Sequence, residues 1–158
     1  MPNPDNERPR PCGIFIDAEG EWYHGENRIT RPEILELLYE KLDLAPGGEY
    51  VLADPKGKCL LDVADTPFVV SRVDRESCGA AGERIVLGLK HIAQPEVLDP
   101  RTLCVGQDCV LYCRIRDGRF PARFSRPAYY QIAAFIEESP EGGFYILLDG
   151  IEYFLANG

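Results

Sequence analysis

The chain is short of most features that would betray a chemistry. It has two histidines, His24 and His91, and neither sits in a ligand-spaced cluster. There is no Gly-x-Ser-x-Gly elbow, and Gly57-Lys58-Cys59 has neither the glycine spacing nor the Ser or Thr of a phosphate loop. The cysteines are Cys12, Cys59, Cys78, Cys104, Cys109 and Cys113, and the spacings within the last three are not those of a zinc knuckle. No catalytic residue, metal ligand or cofactor motif is therefore assigned. Positive charge is scarce as well: the formal net charge is −9 and the pI about 4.7, which disfavours nucleic acid and anionic membrane surfaces as partners. No apolar run approaches the ~20 residues of a membrane span, and the N-terminus lacks the charged start and apolar stretch of a signal peptide. These absences point to a cytoplasmic bacterial protein. In that reducing compartment the thiols are expected to be free, with Cys109 and Cys113 buried beside Leu111 on the inward face of a strand.

What is present is a repetition. Ser125-Arg126-Pro127 opens an apolar helix that is followed by Gly142-Gly143-Phe144-Tyr145-Ile146-Leu147-Leu148-Asp149. Shifted upstream by 95 positions stand Thr30-Arg31-Pro32, another helix, and Gly47-Gly48-Glu49-Tyr50-Val51-Leu52-Ala53-Asp54. One shift serves both ends of the unit, so the chain reads as a duplicated module.

Residues 1–11 hold four prolines among polar residues and read as a disordered tail. A first subdomain then covers 12–78, the small flexible stretch Ser77-Cys78-Gly79-Ala80-Ala81-Gly82 links the halves, and a second subdomain covers 83–158. Asp17-Ala18-Glu19-Gly20 turns a hairpin, Thr30 with Glu33 forms a capping box on the first helix, and Asp54-Pro55-Lys56-Gly57 turns a second hairpin. In the second copy Leu111, Cys113, Ile115, Phe120, Ala122 and Phe124 alternate inward about a turn at Asp117-Gly118. The expected fold is α+β, two related ββαββ-type subdomains, each a mostly antiparallel sheet packed on one helix.

The candidate site residues are basic. Of six basic residues after position 95, Arg114, Arg116, Arg119, Arg123 and Arg126 fall within thirteen positions. Four of them are placed on the outward face of one hairpin, where like charges repel, so something anionic is expected over that face. It is either the acidic hairpin of the first copy, with Asp17, Glu19, Glu21 and Glu26, within the chain or across a dimer, or an anionic small molecule or acidic protein surface that arginine's planar fork suits; the remaining alternative is that both surfaces are simply solvated. Arg31 and Arg126 each stand at a helix start, where the dipole disfavours a cation; Asp54 and Asp149 are the expected partners, or else an anion held jointly by the Arg and the helix N-terminal amides. The second copy is also apolar over a wider arc, since Phe135, Ile136 and Phe144 replace Glu40, Lys41 and Glu49. That surface calls for cover by the first copy or by a second subunit in a homodimer.

Gly20-Glu21-Trp22-Tyr23-His24, Asp65-Thr66-Pro67-Phe68-Val69 and Ser125-Arg126-Pro127-Ala128-Tyr129-Tyr130 together resemble the bacterial domain-of-unknown-function family 1285, over about Cys12 to Leu155. The resemblance implies an α+β protein of two related subdomains with no established activity and a loosely suggested role in signalling, and it supplies no catalytic residues. The expected function is a non-enzymatic binding or interaction module in bacterial signalling. The alternative is a small enzyme acting on an anionic metabolite through His24 or a thiol.

Overall fold

The computed structural model describes residues 9–157, which form two compact units that divide between Asp65 and Thr66. The protein is α+β, with mostly strand content, two helices and mixed sheets. The first eight residues of the expected tail lie outside the described residues, and Arg10 and Pro11 already run in the first strand.

The first unit is one six-stranded sheet and a helix. Its elements are β1 (Arg10–Ile16), β2 (Trp22–His24), β3 (Asn27–Arg28), α1 (Pro32–Lys41), β4 (Leu42–Leu44), β5 (Tyr50–Asp54) and β6 (Gly57–Val63), in the sheet order β3-β2-β1-β6-β5-β4. All pairings are antiparallel except β1 with β6. The β1–β2 turn forms because Asp17 Oδ1 accepts from the N–H groups of Glu19 and Glu21, while Gly20 takes a φ of +86° that a side chain would resist. The β5–β6 turn is built alike, Asp54 Oδ1 accepting from Lys56 N at 2.8 Å. The core contains Ile16, Trp22, Leu35, Tyr39, Val51 and Leu61. Trp22 and Tyr39 meet edge-on at 4.9 Å, and burial pushes the Tyr39 phenol up from 10.0 to about 12. The capping box does not form: α1 starts one residue later, with Arg31 at its N-cap and no side-chain cap bond. Pro32 fixes that start in the first turn, where a missing N–H costs nothing.

The parallel β1–β6 pairing overturns one expectation. It sets Arg10 opposite Cys59, bringing the Cα atoms of Cys12 and Cys59 to 5.0 Å, and the two are joined in a disulfide across a sequence separation of 47. A pairing between strands so far apart leaves no mark in cysteine spacing. The other four cysteines are free.

In the second unit the strands are β7 (Phe68–Ser77), β8 (Glu83–Leu89), β9 (Glu96–Val97), β10 (Cys104–Val105), β11 (Leu111–Ile115), β12 (Phe120–Phe124), β13 (Ile136–Glu138), β14 (Phe144–Leu148), β15 (Ile151–Phe154) and β16 (Ala156–Asn157), with α2 (Arg126–Ala133) between β12 and β13. They form a seven-stranded sheet, β16-β10-β11-β12-β7-β8-β9, and a separate three-stranded sheet, β13-β14-β15. The stretch expected to link the halves is instead a turn inside this unit. Ser77 pairs with Glu83, and β7, expected to close the first subdomain, pairs parallel with β12. Small residues serve a tight hairpin turn as readily as a linker.

The inward alternation at β11 and β12 is as expected, with Leu111, Cys113, Ile115, Phe120, Ala122 and Phe124 all buried. Thr66, a buried polar residue, donates to Phe68 O at 2.7 Å and accepts from Arg123 N at 3.2 Å, tying the start of β7 to β12. Ser125 caps α2, its Oγ accepting from Ala128 N, and Gln131 Oε1 satisfies Val73 N beside an irregularity in the β7–β8 ladder. Each helix is followed by a short extra strand, β4 or β13, so the observed order around each helix is longer than ββαββ.

Candidate functional site

The arginines of the β11–β12 hairpin do not share a single face. Arg114 and Arg123 point outward from the strands, opposite Pro121 and Tyr112. Arg116 lies beyond the end of β11 with φ +55°, which takes it off the strand alternation. Its guanidinium sits 5.5 Å from the centroid of the Phe68 ring and 3.3 Å from Glu96 Oε1. Arg119 stacks over Phe120 at 5.3 Å. Arg114 Nε donates to Gly118 O at 2.8 Å, clamping the turn that it flanks. The like charges are therefore accommodated by carbonyls, ring faces and one carboxylate of the same unit. Half-buried Arg123 donates its backbone N–H to Thr66.

Arg126 is exposed in the first turn of α2, and Arg31, in the first unit, is exposed at the start of α1. Among the described residues neither is ion-paired with the carboxylate expected for it. Asp54 is the acceptor of the β5–β6 turn, and Asp149 Oδ1 accepts from Glu83 N at 2.9 Å. Asp149 can reach that amide because Gly82 has no side chain; a Cβ there would stand 2.6 Å from Asp149 Oδ2. Both acids thus serve backbone amides, a use that the shift of 95 between them does not reveal.

Sequence reasoning missed a cavity of about 520 Å³ in the second unit, within the range of small-molecule sites. Leu111, Tyr129, Ala133, Ile136, Phe144 and Leu155 line it. Two of these, Ile136 and Phe144, belong to the wider apolar arc expected from the sequence. The arc was legible, and here it walls a pocket. The polar groups are few: Tyr129 and Glu138 stand among the lining residues, and Cys109 lies at the wall. Cys109 was expected inside a strand. It is exposed in a short 3-10 turn, Gln107–Cys109, where Asp108 and Cys109 both take left-handed φ, 58° and 59°. Successive non-glycine residues in that region are strained, and such positions cluster at functional sites. Cys113, by contrast, is buried, and burial pushes its thiol up from 9.0 to about 12.

A second cavity, of about 340 Å³, lies in the first unit beside α1 and the β5–β6 hairpin. Its wall includes Leu38 and Lys41, which the shift of 95 aligns with Ala133 and Ile136 of the larger cavity. Each unit therefore opens a pocket against the same part of its helix region. Neither His24 nor His91 lines either one.

No family model matches the sequence, and no curated protein matches it. Solved structures do resemble it. A DUF1285 family protein from Silicibacter pomeroyi superposes with a TM-score of 0.76 at 21% identity, covering 98% of this chain and 87% of that one. A DUF1285 family protein from Shewanella baltica gives a TM-score of 0.62 at 19% identity, over 77% of this chain and 90% of that one. The structural neighbours are thus proteins of the family that the sequence motifs resemble, and at these identities the likeness is one of fold.

Proposed function

We propose that this chain, which has the fold of DUF1285 family proteins, is a non-enzymatic binding module of bacterial signalling whose ligand site is the apolar cavity of the second unit. The observation that carries the reading is the composition of that cavity: seven apolar or aromatic side chains around about 520 Å³, with the Tyr129 hydroxyl, a thiol and a carboxylate as its polar groups. Apolar walls with few polar groups bind by desolvation and use the polar groups for orientation. Glu138 is the charged residue in the lining, so the preferred ligand is a neutral or cationic molecule with an apolar body. The arginines at the β11–β12 turn then serve the hairpin, and ligand recognition falls to the pocket. That the two units are copies of one module belongs to the same proposal, supported by the constant shift of 95 and by the related positions of the two pockets.

The test is titration with the neutral dye Nile red, read by its fluorescence, for the wild type and for Ala133→Phe, which adds a ring to the cavity wall. The wild type should bind and the variant, at unchanged circular dichroism, should bind at least about tenfold more weakly. Equal binding by the two would remove the pocket from consideration.

A further inference from the structure

The chain contains four lysines, Lys41, Lys56, Lys58 and Lys90, among thirteen arginines. Three of the four line the cavity of about 340 Å³ in the first unit. Lys41 comes from the last turn of α1, Lys56 from the β5–β6 turn and Lys58 from the first residues of β6. An isolated lysine at any of these places has an ordinary reason to be there, as Lys41 does in facing the negative end of the helix dipole. Three lysines lining one concavity are less ordinary, because like charges brought near one another repel.

Their partners are missing in a chain that has acid to spare. The net charge is −9, and five arginines of the second unit, Arg72, Arg75, Arg84, Arg101 and Arg116, are each ion-paired. Among the described residues none of the three pocket lysines forms an ion pair. Asp54, the carboxylate in the wall, has Oδ1 engaged by Lys56 N. Leu38 and Leu52 supply an apolar surface beside the charges, and Cys59, held to Cys12 on β1, fixes the β6 side of the wall.

We propose that this cavity is a binding site for a small anion of two or more negative charges, of the phosphate-ester or polycarboxylate class, with a short apolar portion against Leu38 and Leu52. The lysines act as mobile point charges that close around the anionic groups, which suits phosphate oxygens without demanding the fork geometry of arginine. Such a site is distinct in unit and in charge from the apolar cavity, so the two readings stand or fall separately.

Isothermal titration at low salt with pyrophosphate, and in parallel with citrate, tests the site. The wild type should bind at least one of the two, with an affinity that falls as salt is added. The triple variant Lys41→Gln, Lys56→Gln, Lys58→Gln should bind about a hundredfold more weakly. Lys56→Gln alone, at an exposed turn position, should weaken binding with its melting curve unchanged, which separates loss of the site from loss of fold. Arg84→Gln, which removes one positive charge from the second unit, should retain wild-type affinity. Absence of binding by the wild type to both anions, or equal binding by the triple variant, would overturn the assignment. An equal loss with Arg84→Gln would reduce it to a net-charge effect and overturn it as well.

Discussion

Opening the Cys12–Cys59 bond should unfold the first unit at a lower denaturant concentration and leave the second as it was. The bond closes a loop with a sequence separation of 47. For a loop of that size the chain-entropy relation gives about 4 kcal/mol of stabilisation at 25 °C, mostly by restricting the unfolded chain. A small unit is stabilised by a modest core, so this is a large share of the total. The chain carries a single tryptophan, Trp22, which is fully buried in the first unit. Its emission therefore reports on that unit alone. In a urea titration followed at Trp22, with a slope of about 2 kcal/mol per molar urea, dithiothreitol should move the midpoint down by about 2 M. Cys12→Ser should show the lower midpoint with or without reductant. Thiol titration in urea without reductant should count the four free cysteines, Cys78, Cys104, Cys109 and Cys113. Coincident midpoints in the two conditions, or six reactive thiols before reduction, would refute the reasoning.

Two further outcomes follow from burial and from capping. Cys113 and Tyr39 are both held protonated by burial, at about 12 against 9.0 and 10.0 for the free groups, so the unfolded chain releases these protons first. Stability is therefore full below about pH 9 and falls as pH rises from there towards about 12, by about 1.4 kcal/mol per unit for each group within its window. Urea midpoints measured across that range, at Trp22 for the first unit and by circular dichroism for the second, should decline, and a flat profile would contradict the burial argument. The helix caps differ as well: Ser125→Ala removes a cap bond and should cost about 1 kcal/mol, whereas Thr30→Ala removes none and should be close to neutral in the same assay.

The legible parts of the sequence were those written locally. The Asp17-to-Gly20 and Asp54-to-Gly57 turns, the α2 cap and the alternation from Leu111 to Phe124 each depend on residues within a few positions, and each stands where the local chemistry put it. The capping box of Thr30 and Glu33 is a local reading that failed, and most of the rest that could not be read depends on pairing at a distance. The parallel contact of β1 with β6 made the disulfide, and the parallel contact of β7 with β12 moved β7 into the second unit. Arg116 shows a subtler limit. Strand alternation faced it outward, but a left-handed φ at the strand end turned its guanidinium to Phe68 and Glu96. Asp54 and Asp149, expected beside Arg31 and Arg126, each accept from a backbone amide instead, and such a partner leaves no signature in the sequence. The site was half visible: the apolar arc through Ile136 and Phe144 could be seen, whereas the cavity it encloses needed the placement of Cys109, Leu111 and Leu155 from other elements.

The measurement that tests the binding-module reading most directly is an amide chemical-shift titration of the isotope-labelled protein with decanol, a neutral molecule with an apolar body. The account predicts saturable shifts concentrated at the amides of Leu111, Ala133, Ile136 and Leu155, which line the apolar cavity, and absent at Lys56 and Lys58 in the first unit. No saturable shift at the cavity, or shifts concentrated on the β11–β12 arginine turn instead, would contradict it.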